Sequence, residues 1–239
     1  MSQAARGTSF GRIGFARGIL LSVGILVGMR VLPQLAVSAG LPKNAITVEE
    51  AFAVFAFHLL IWSLVWLVIA RSSRASFANL FLLRSVPSSG QVRRWALVGL
   101  PFGVPAFLGW MDHSHRLHEP DFLIFLVPVV LTYVLMWPLI EEPVFRGLIF
   151  SVLIRWNRFG AYIISTLVFT LHPTQSYPDL ILHGTIGLTN LHIMFLLSFG
   201  LLSAYIYEST GKLSLCLICH GAANGFRFLG LPVGYLLDH

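Results

Sequence analysis

The chain has 239 residues, of which 56% are hydrophobic and only 11% charged, and a mean hydropathy of +0.79; this balance argues against a soluble domain and for a polytopic helical membrane protein. The formal net charge is +6, yet the basic residues fall in loops between apolar runs, where they report membrane orientation rather than a nucleic-acid partner. The two cysteines lie in one apolar run and supply no disulfide framework.

A membrane span needs roughly 20 mostly apolar residues. Suitable runs occur at about 18–37, 51–70, 95–110, 122–154, 159–172, 191–208 and 213–235, which predicts an all-α, polytopic membrane helical bundle of about seven transmembrane helices. The fourth run is long enough for more than one crossing but contains Pro128, Pro138 and Pro143, and reads as a kinked or two-part helix. Arg6, Arg12 and Arg17 precede the first span, Arg71, Arg74, Arg84, Arg93 and Arg94 separate the second from the third, and Arg155 and Arg158 follow the fourth. The other loops carry Glu49, Glu50, Asp112, Glu119, Asp121 and Asp179 against Lys43 and Arg116. Alternation of this kind puts the N-terminus in the cytoplasm and the C-terminus outside, in an integral multi-pass protein of the cell membrane. Two segments stay open: Val37-Ser38-Ala39 resembles a signal-peptide cleavage site, although Arg30 and Pro33 lie beyond the apolar centre, and residues 74–84 suit either an interfacial amphipathic helix or an ordinary loop.

Eight of the ten acidic residues lie in loops or near span ends; the exceptions are Glu141 and Glu142 in "LMWPLIEEPVFRGLIF". A carboxylate inside a span is costly unless paired, neutralised or wet, so it marks a functional site by default. Glu142 and Arg146 are four residues apart, on one helical face and within ion-pair reach, whereas Glu141 points about 100° away. The spacing therefore assigns Glu142 to hold Arg146 and Glu141 to face a cavity. Pro143 frees a carbonyl one turn earlier and can open a helix segment whose N-terminus favours carboxylates. A purely structural Glu–Arg pair is the competing account.

His172 ends the fifth run, and His220 with Asn224 lies inside the seventh. Counted from the cytoplasmic ends at 1.5 Å per residue, these groups and Glu141 fall between roughly 10 and 20 Å from one surface. His, Glu and Asn at one level are the parts of a hydrolytic site: a base for water and donors for the oxyanion formed when that water attacks a carbonyl. A hydrogen-bonded core histidine is the alternative for each taken alone. His58 reads as a packing residue or a bridge to a neighbouring helix; His113, His115 and His118 form a loop cluster able to bind metal adventitiously; His183, His192 and His239 have no assigned role. Cys216-Leu-Ile-Cys219-His220 has the spacing of c-type haem attachment, but its place in a run of Leu, Ile and Ala makes both cysteines small apolar helix residues. Cys216, His220 and Asn224 are successive i+4 positions, so Cys216 is expected to line the same cavity. No cofactor is expected.

At these residues the chain resembles the CPBP family, the CAAX protease and bacteriocin-processing enzymes also called the Abi family: intramembrane glutamic-type endopeptidases that include the type II CAAX prenyl endopeptidases. Glu141-Glu142-Pro-Val-Phe-Arg146 looks like the family's Glu-Glu-x-x-x-Arg motif, the segment ending at His172 resembles Phe-x-x-x-His, and His220 with Asn224 matches His-x-x-x-Asn. The stretch "FLLSFGLLSAYIYESTGKLSLCLICHGAANG" resembles the family's penultimate helix, Thr-Gly turn and final helix. The second motif departs from the pattern, with Val168 at the Phe position and the aromatic one place later at Phe169. Charge and hydropathy give a basic cytoplasmic N-terminus at 1–17 and N-terminal transmembrane helices with a basic cytoplasmic loop at 18–115; the resemblance, which covers about 120–230, implies a CPBP-like catalytic domain at 120–235. It further implies that Glu141, helped by His172, activates a water, that His220 and Asn224 hold the oxyanion, that Glu142 and Arg146 support them, and that no metal takes part. The partners expected are the lipid bilayer, from the apolar spans, and a peptide or membrane-protein substrate, from the resemblance.

Other chemistries fit less well. A zinc protease would be expected to show His-Glu-x-x-His, which this sequence lacks, although Glu141, His172 and His220 could gather around zinc. Ser165 and Ser198 have no nearby base in sequence, and no aspartate lies in a span interior. A proton-coupled transporter and a catalytically silent scaffold or chaperone remain as alternatives.

Overall fold

The computed structural model describes residues 15–41, 47–73, 87–111, 117–171 and 186–238. Among these the chain forms helical rods and no strand. In chain order they are α1 (Phe15–Ser38), α2 (Val48–Ser73), α3 (89–111), α4 (122–153), α5 (Arg158–Thr170), α6 (Ile186–Thr210) and α7 (213–238). Ala16–Ser38, Val48–Arg71, Phe122–Leu153 and His192–Thr210 are long and apolar enough to cross a membrane. The 13 residues of α5 rise only about 20 Å. α3 and α7 are interrupted by 3₁₀ turns at Leu100–Gly103 and Arg227–Leu229. Residues 74–86, with the suggested interfacial helix, lie outside the described residues, as do His113, His115, His172 and His183.

α4 is the axis of the bundle. Residues 140–153 of this rod are buried all round, and Arg146, Phe145, Phe150 and Leu148 are among the largest fully buried side chains. A helix apolar on every face belongs in the interior. By contrast α1 and α2 expose Leu20, Leu35, Leu60 and Leu67 on their outer faces, surfaces that suit lipid rather than water.

The three prolines do not divide α4 in two; instead the rod runs on through two π-helical stretches, Thr132–Met136 and Pro143–Phe150. The backbone groups this disturbs are satisfied by neighbouring helices, as a low-dielectric surrounding requires. Proline at 143 has no N–H for the carbonyl of Leu139, and the indole Nε1–H of Trp66 on α2 donates to it at 3.0 Å. The Trp137 N–H donates to Thr132 O, a register whose next acceptor, Tyr133 O, would face Pro138. The Asn224 side chain on α7 donates to Tyr133 O at 2.8 Å. Pro138 and Pro143 thus each leave an acceptor that is met from a particular partner helix.

Glycines set the closeness of the other contacts. Leu213–Phe226 packs along Ser89–Gly99, and a Cβ on Gly99 would stand 2.2 Å from Cys219 O while one on Gly103 would stand 2.2 Å from Ala223 O. Gly99-x-x-x-Gly103 is a small-residue seam of the kind that lets membrane helices touch backbone to backbone.

Candidate active site

α4 carries Glu141 and Glu142 into the core, with exposures of 3% and 0%. Glu142 collects three partners from three directions. The Arg146 Nε lies 3.4 Å from its Oε2, the Ser203 hydroxyl of α6 donates to that oxygen at 2.6 Å, and His220 Nδ1 of α7 lies 2.8 Å from its Oε1. The expected Glu142–Arg146 pair is present, and Glu142 also ties α4 to α6 and α7. Among the described residues no hydrogen bond reaches the Arg146 guanidinium nitrogens; its cation rests on the ion pair and on the Phe169 ring, 4.8 Å from Cζ.

His220 stands between the two acids: its Nδ1 meets Glu142, and its Nε2 lies 3.7 Å from Glu141 Oε2. Engagement of Nδ1 fixes the ring and leaves Nε2 for chemistry. The ring edges meet Phe199 at 4.9 Å and Phe169 at 6.0 Å between centroids. Phe169 is 1% exposed and also meets Phe145 edge-to-face at 5.3 Å, while Val168 is only half-buried. The one-place displacement of the aromatic in the second motif therefore still directs a phenyl ring into the interior.

Beside His220 opens a cavity of about 60 Å³ whose walls include Phe102, His192, Phe199, His220, Asn224 and Arg227. It has room for several waters. Glu141, expected on the cavity wall, is instead buried beside His220 Nε2. Cys216 is not on the wall either; its thiol lies 3.5 Å from Ser203 O and 3.8 Å from Lys212 O. It packs against the backbone of α6 because the face one turn below His220 points to that helix. Asn224 gives one amide hydrogen to Tyr133 O, and its Oδ1 accepts from Arg227 Nη2 at 2.9 Å. An amide has two N–H donors, so the second is available to the cavity.

The structure thus brings together Glu141, Glu142, Arg146, His220 and, on the cavity side, Asn224; His172 lies outside the described residues. Of the remaining histidines, His58 donates from Nδ1 to Val54 O, 2.7 Å away, and packs its ring on Trp137 at 4.7 Å, a packing role between α2 and α4. Sequence reasoning passed over Ser203 and Arg227. Arg227 carried a signal, since 220, 224 and 227 share one helical face; Ser203 looked like one more small residue in an apolar run.

No curated protein and no solved structure matches the chain. Residues 123–226, somewhat less than half of its length, match the family described as Type II CAAX prenyl endopeptidase Rce1-like. That segment spans α4, α5, α6 and the part of α7 bearing His220 and Asn224. Over residues 123–226 the chain is therefore similar to the Rce1-like CAAX proteases, a family of intramembrane endopeptidases.

Proposed function

We propose that the chain is an intramembrane endopeptidase in which Glu141 is the general base for a water molecule. The observation that carries this reading is the placement of His220 between two buried carboxylates, with Nδ1 on Glu142 and Nε2 toward Glu141. The two acids differ in surroundings, and such a difference divides roles between neighbouring carboxylates. Glu142 is held by Arg146, Ser203 and His220 Nδ1, whereas Glu141 meets the other ring nitrogen of His220 at 3.7 Å.

In the reaction, Glu141 removes a proton as the water oxygen bonds to the scissile carbonyl carbon. The carbonyl electrons move to oxygen, and the resulting oxyanion is held by N–H donors. Asn224 supplies one of these from its amide, and His220 supplies another from Nε2 when both ring nitrogens carry hydrogen. The proton held by Glu141 then passes to the leaving nitrogen as the C–N bond breaks, giving a new carboxylate and a free amine. Arg146 holds Glu142 in place, so that the His220 ring is oriented throughout. His172, by its match to the second motif, assists Glu141. No step calls for a metal ion. The substrate is a peptide of a membrane-associated protein, of CAAX or bacteriocin-leader type, and the protein resides in the cell membrane with its N-terminus in the cytoplasm.

The test is cleavage of a prenylated CAAX-type peptide by the purified protein in liposomes. Wild type is expected to release the C-terminal fragment, with the same rate in the presence of a strong zinc chelator, and Glu141→Ala to release none. Unchanged cleavage by Glu141→Ala would remove the base assignment, and loss of activity with chelator would replace it with a metal mechanism. A cellular phenotype that survives both Glu141→Ala and His220→Ala would point to a scaffold.

A further inference from the structure

Trp156 and Phe159 are the two most exposed large apolar side chains among the described residues, at 79% and 76%, although they follow directly on the most buried part of α4. They belong to the turn Arg155-Trp156-Asn157-Arg158-Phe159 that joins α4 to α5. Its backbone is firmly tied: the Trp156 and Asn157 amides donate to Leu153 O at 2.9 and 3.0 Å, and Asn157 Oδ1 accepts from the Gly160 amide at 2.8 Å. The Arg155 Nε–H donates to Ser151 O at 3.2 Å, which sets that guanidinium at the end of the rod. The two rings are therefore held out of the bundle by an ordered turn, and aromatic residues so placed belong to a membrane–water interface. Gly18 of α1 packs directly on Val152, which brings the exposed Arg17 to the same end of α4. Glu208 is the only acidic residue described at this end, and it is engaged by Arg158 at 2.9 Å. Arg17 and Arg155 thus stand beside two exposed rings with no excess of acid to balance them.

We propose that the α4–α5 turn, together with the start of α1, is a binding site for the headgroup of an anionic phospholipid; the proposal is independent of the endopeptidase reading. Arg17 and Arg155 take the lipid phosphate, for which the guanidinium fork offers parallel N–H donors, and each adds attraction to a negatively charged leaflet. Trp156 and Phe159 lie along the glycerol and upper acyl region, where an aromatic ring is better placed than in water. The occupant is a lipid and not a soluble anion because the charges and the apolar rings share one short turn, and a free phosphate would leave both rings in water. The site is local. Arg93 is exposed at the same end, but it belongs to α3, which packs along α7, whereas α5 packs on α4 and α6; at least one helix diameter, about 10 Å, separates it from the turn. A lipid held here fixes the level of α4 in the bilayer, with Glu142 about 15 Å further in along the rod.

The experiment titrates the full-length protein in detergent micelles with dioleoylphosphatidylglycerol or dioleoylphosphatidylcholine and reads the bound lipid by native mass spectrometry. Wild type is expected to bind phosphatidylglycerol about tenfold or more tightly than phosphatidylcholine, as two guanidinia near an anionic headgroup imply. Arg17→Gln and Arg155→Gln should each weaken phosphatidylglycerol binding about fivefold and leave phosphatidylcholine binding as it was. Trp156→Ala combined with Phe159→Ala should weaken both lipids, because the rings meet the part that the two share. Arg93→Gln is the control for position: across the bundle its charge is screened, and binding should change by less than about twofold. A wild type without preference overturns the proposal. So does a loss in Arg93→Gln equal to that in Arg155→Gln, the mark of a diffuse field in place of a site. Inorganic phosphate that displaces phosphatidylglycerol at equal concentration would show a soluble-anion site and overturn the lipid assignment. If Arg155→Gln fails to fold, Arg17→Gln decides, a fivefold loss supporting the proposal and unchanged binding overturning it.

Discussion

Two clusters in this protein are built from the same parts and have different consequences. In the interior, Glu142 meets Arg146 at 3.4 Å and accepts from the Ser203 hydroxyl at 2.6 Å. At the end of α6, Glu208 meets Arg158 at 2.9 Å and accepts from the Tyr162 hydroxyl at 2.6 Å. The distances favour the second cluster, yet Arg158 is 73% exposed while both members of the first pair are at 0%. Burial, not geometry, decides what each is worth: water screens and competes with the Arg158 pair, whereas breaking the inner pair strands a cation in low dielectric. The inner cluster also has the partner that the outer one lacks, His220, and through it a connection to Glu141.

This contrast is open to breaking by substitution. The largest effect is expected for Glu142→Ala, which leaves Arg146 unpaired and His220 unoriented: about 3–5 kcal/mol of stability should be lost, seen in denaturant unfolding in detergent, together with peptide cleavage. Ser203→Ala removes one hydrogen bond to the carboxylate and should cost about 1.5–3 kcal/mol, with cleavage reduced but measurable in the same liposome assay. Trp66→Phe, which leaves the Leu139 carbonyl without its donor, should cost about 1–3 kcal/mol and shift the melting temperature without altering the ratio of rates on different peptides. Arg158→Ala should leave both melting temperature and cleavage indistinguishable from wild type. A loss of stability in Arg158→Ala as large as that in Glu142→Ala would mean that burial does not separate the clusters.

Much of this arrangement was legible in the sequence because membrane burial makes charge conspicuous. Two glutamates, an arginine four residues on, and a His-x-x-x-Asn pair stand out in apolar runs, and the i, i+4 rule paired Glu142 with Arg146 as the structure does. The apolar runs likewise matched the helical rods closely, down to the run 122–154 and the helix Phe122–Leu153. What the sequence did not give away depends on neighbours distant along the chain. The π-helical stretches of α4 have no local signature; they are tolerated because Trp66 and Asn224, from helices far away in sequence, donate to the carbonyls of Leu139 and Tyr133 that face Pro143 and Pro138. The position of Cys216 failed for a related reason: helical spacing places it under His220, but which neighbour fills that face is a matter of packing. Arg227 was visible inside the run 213–235 but went unassigned, because its contact with Asn224 depends on side-chain placement that spacing alone does not give.

The division of labour between the two adjacent acids is the central claim, and Glu141→Gln tests it most directly because the exchange keeps shape and removes only the carboxylate. With the purified variant and wild type measured side by side in liposomes, kcat/KM on a prenylated CAAX-type peptide should fall by about 10²–10⁴-fold, the contribution of a general base, while the unfolding midpoint stays at the wild-type value. Cleavage at the wild-type rate, or a loss of activity accompanied by unfolding on the scale of Glu142→Ala, would contradict the account.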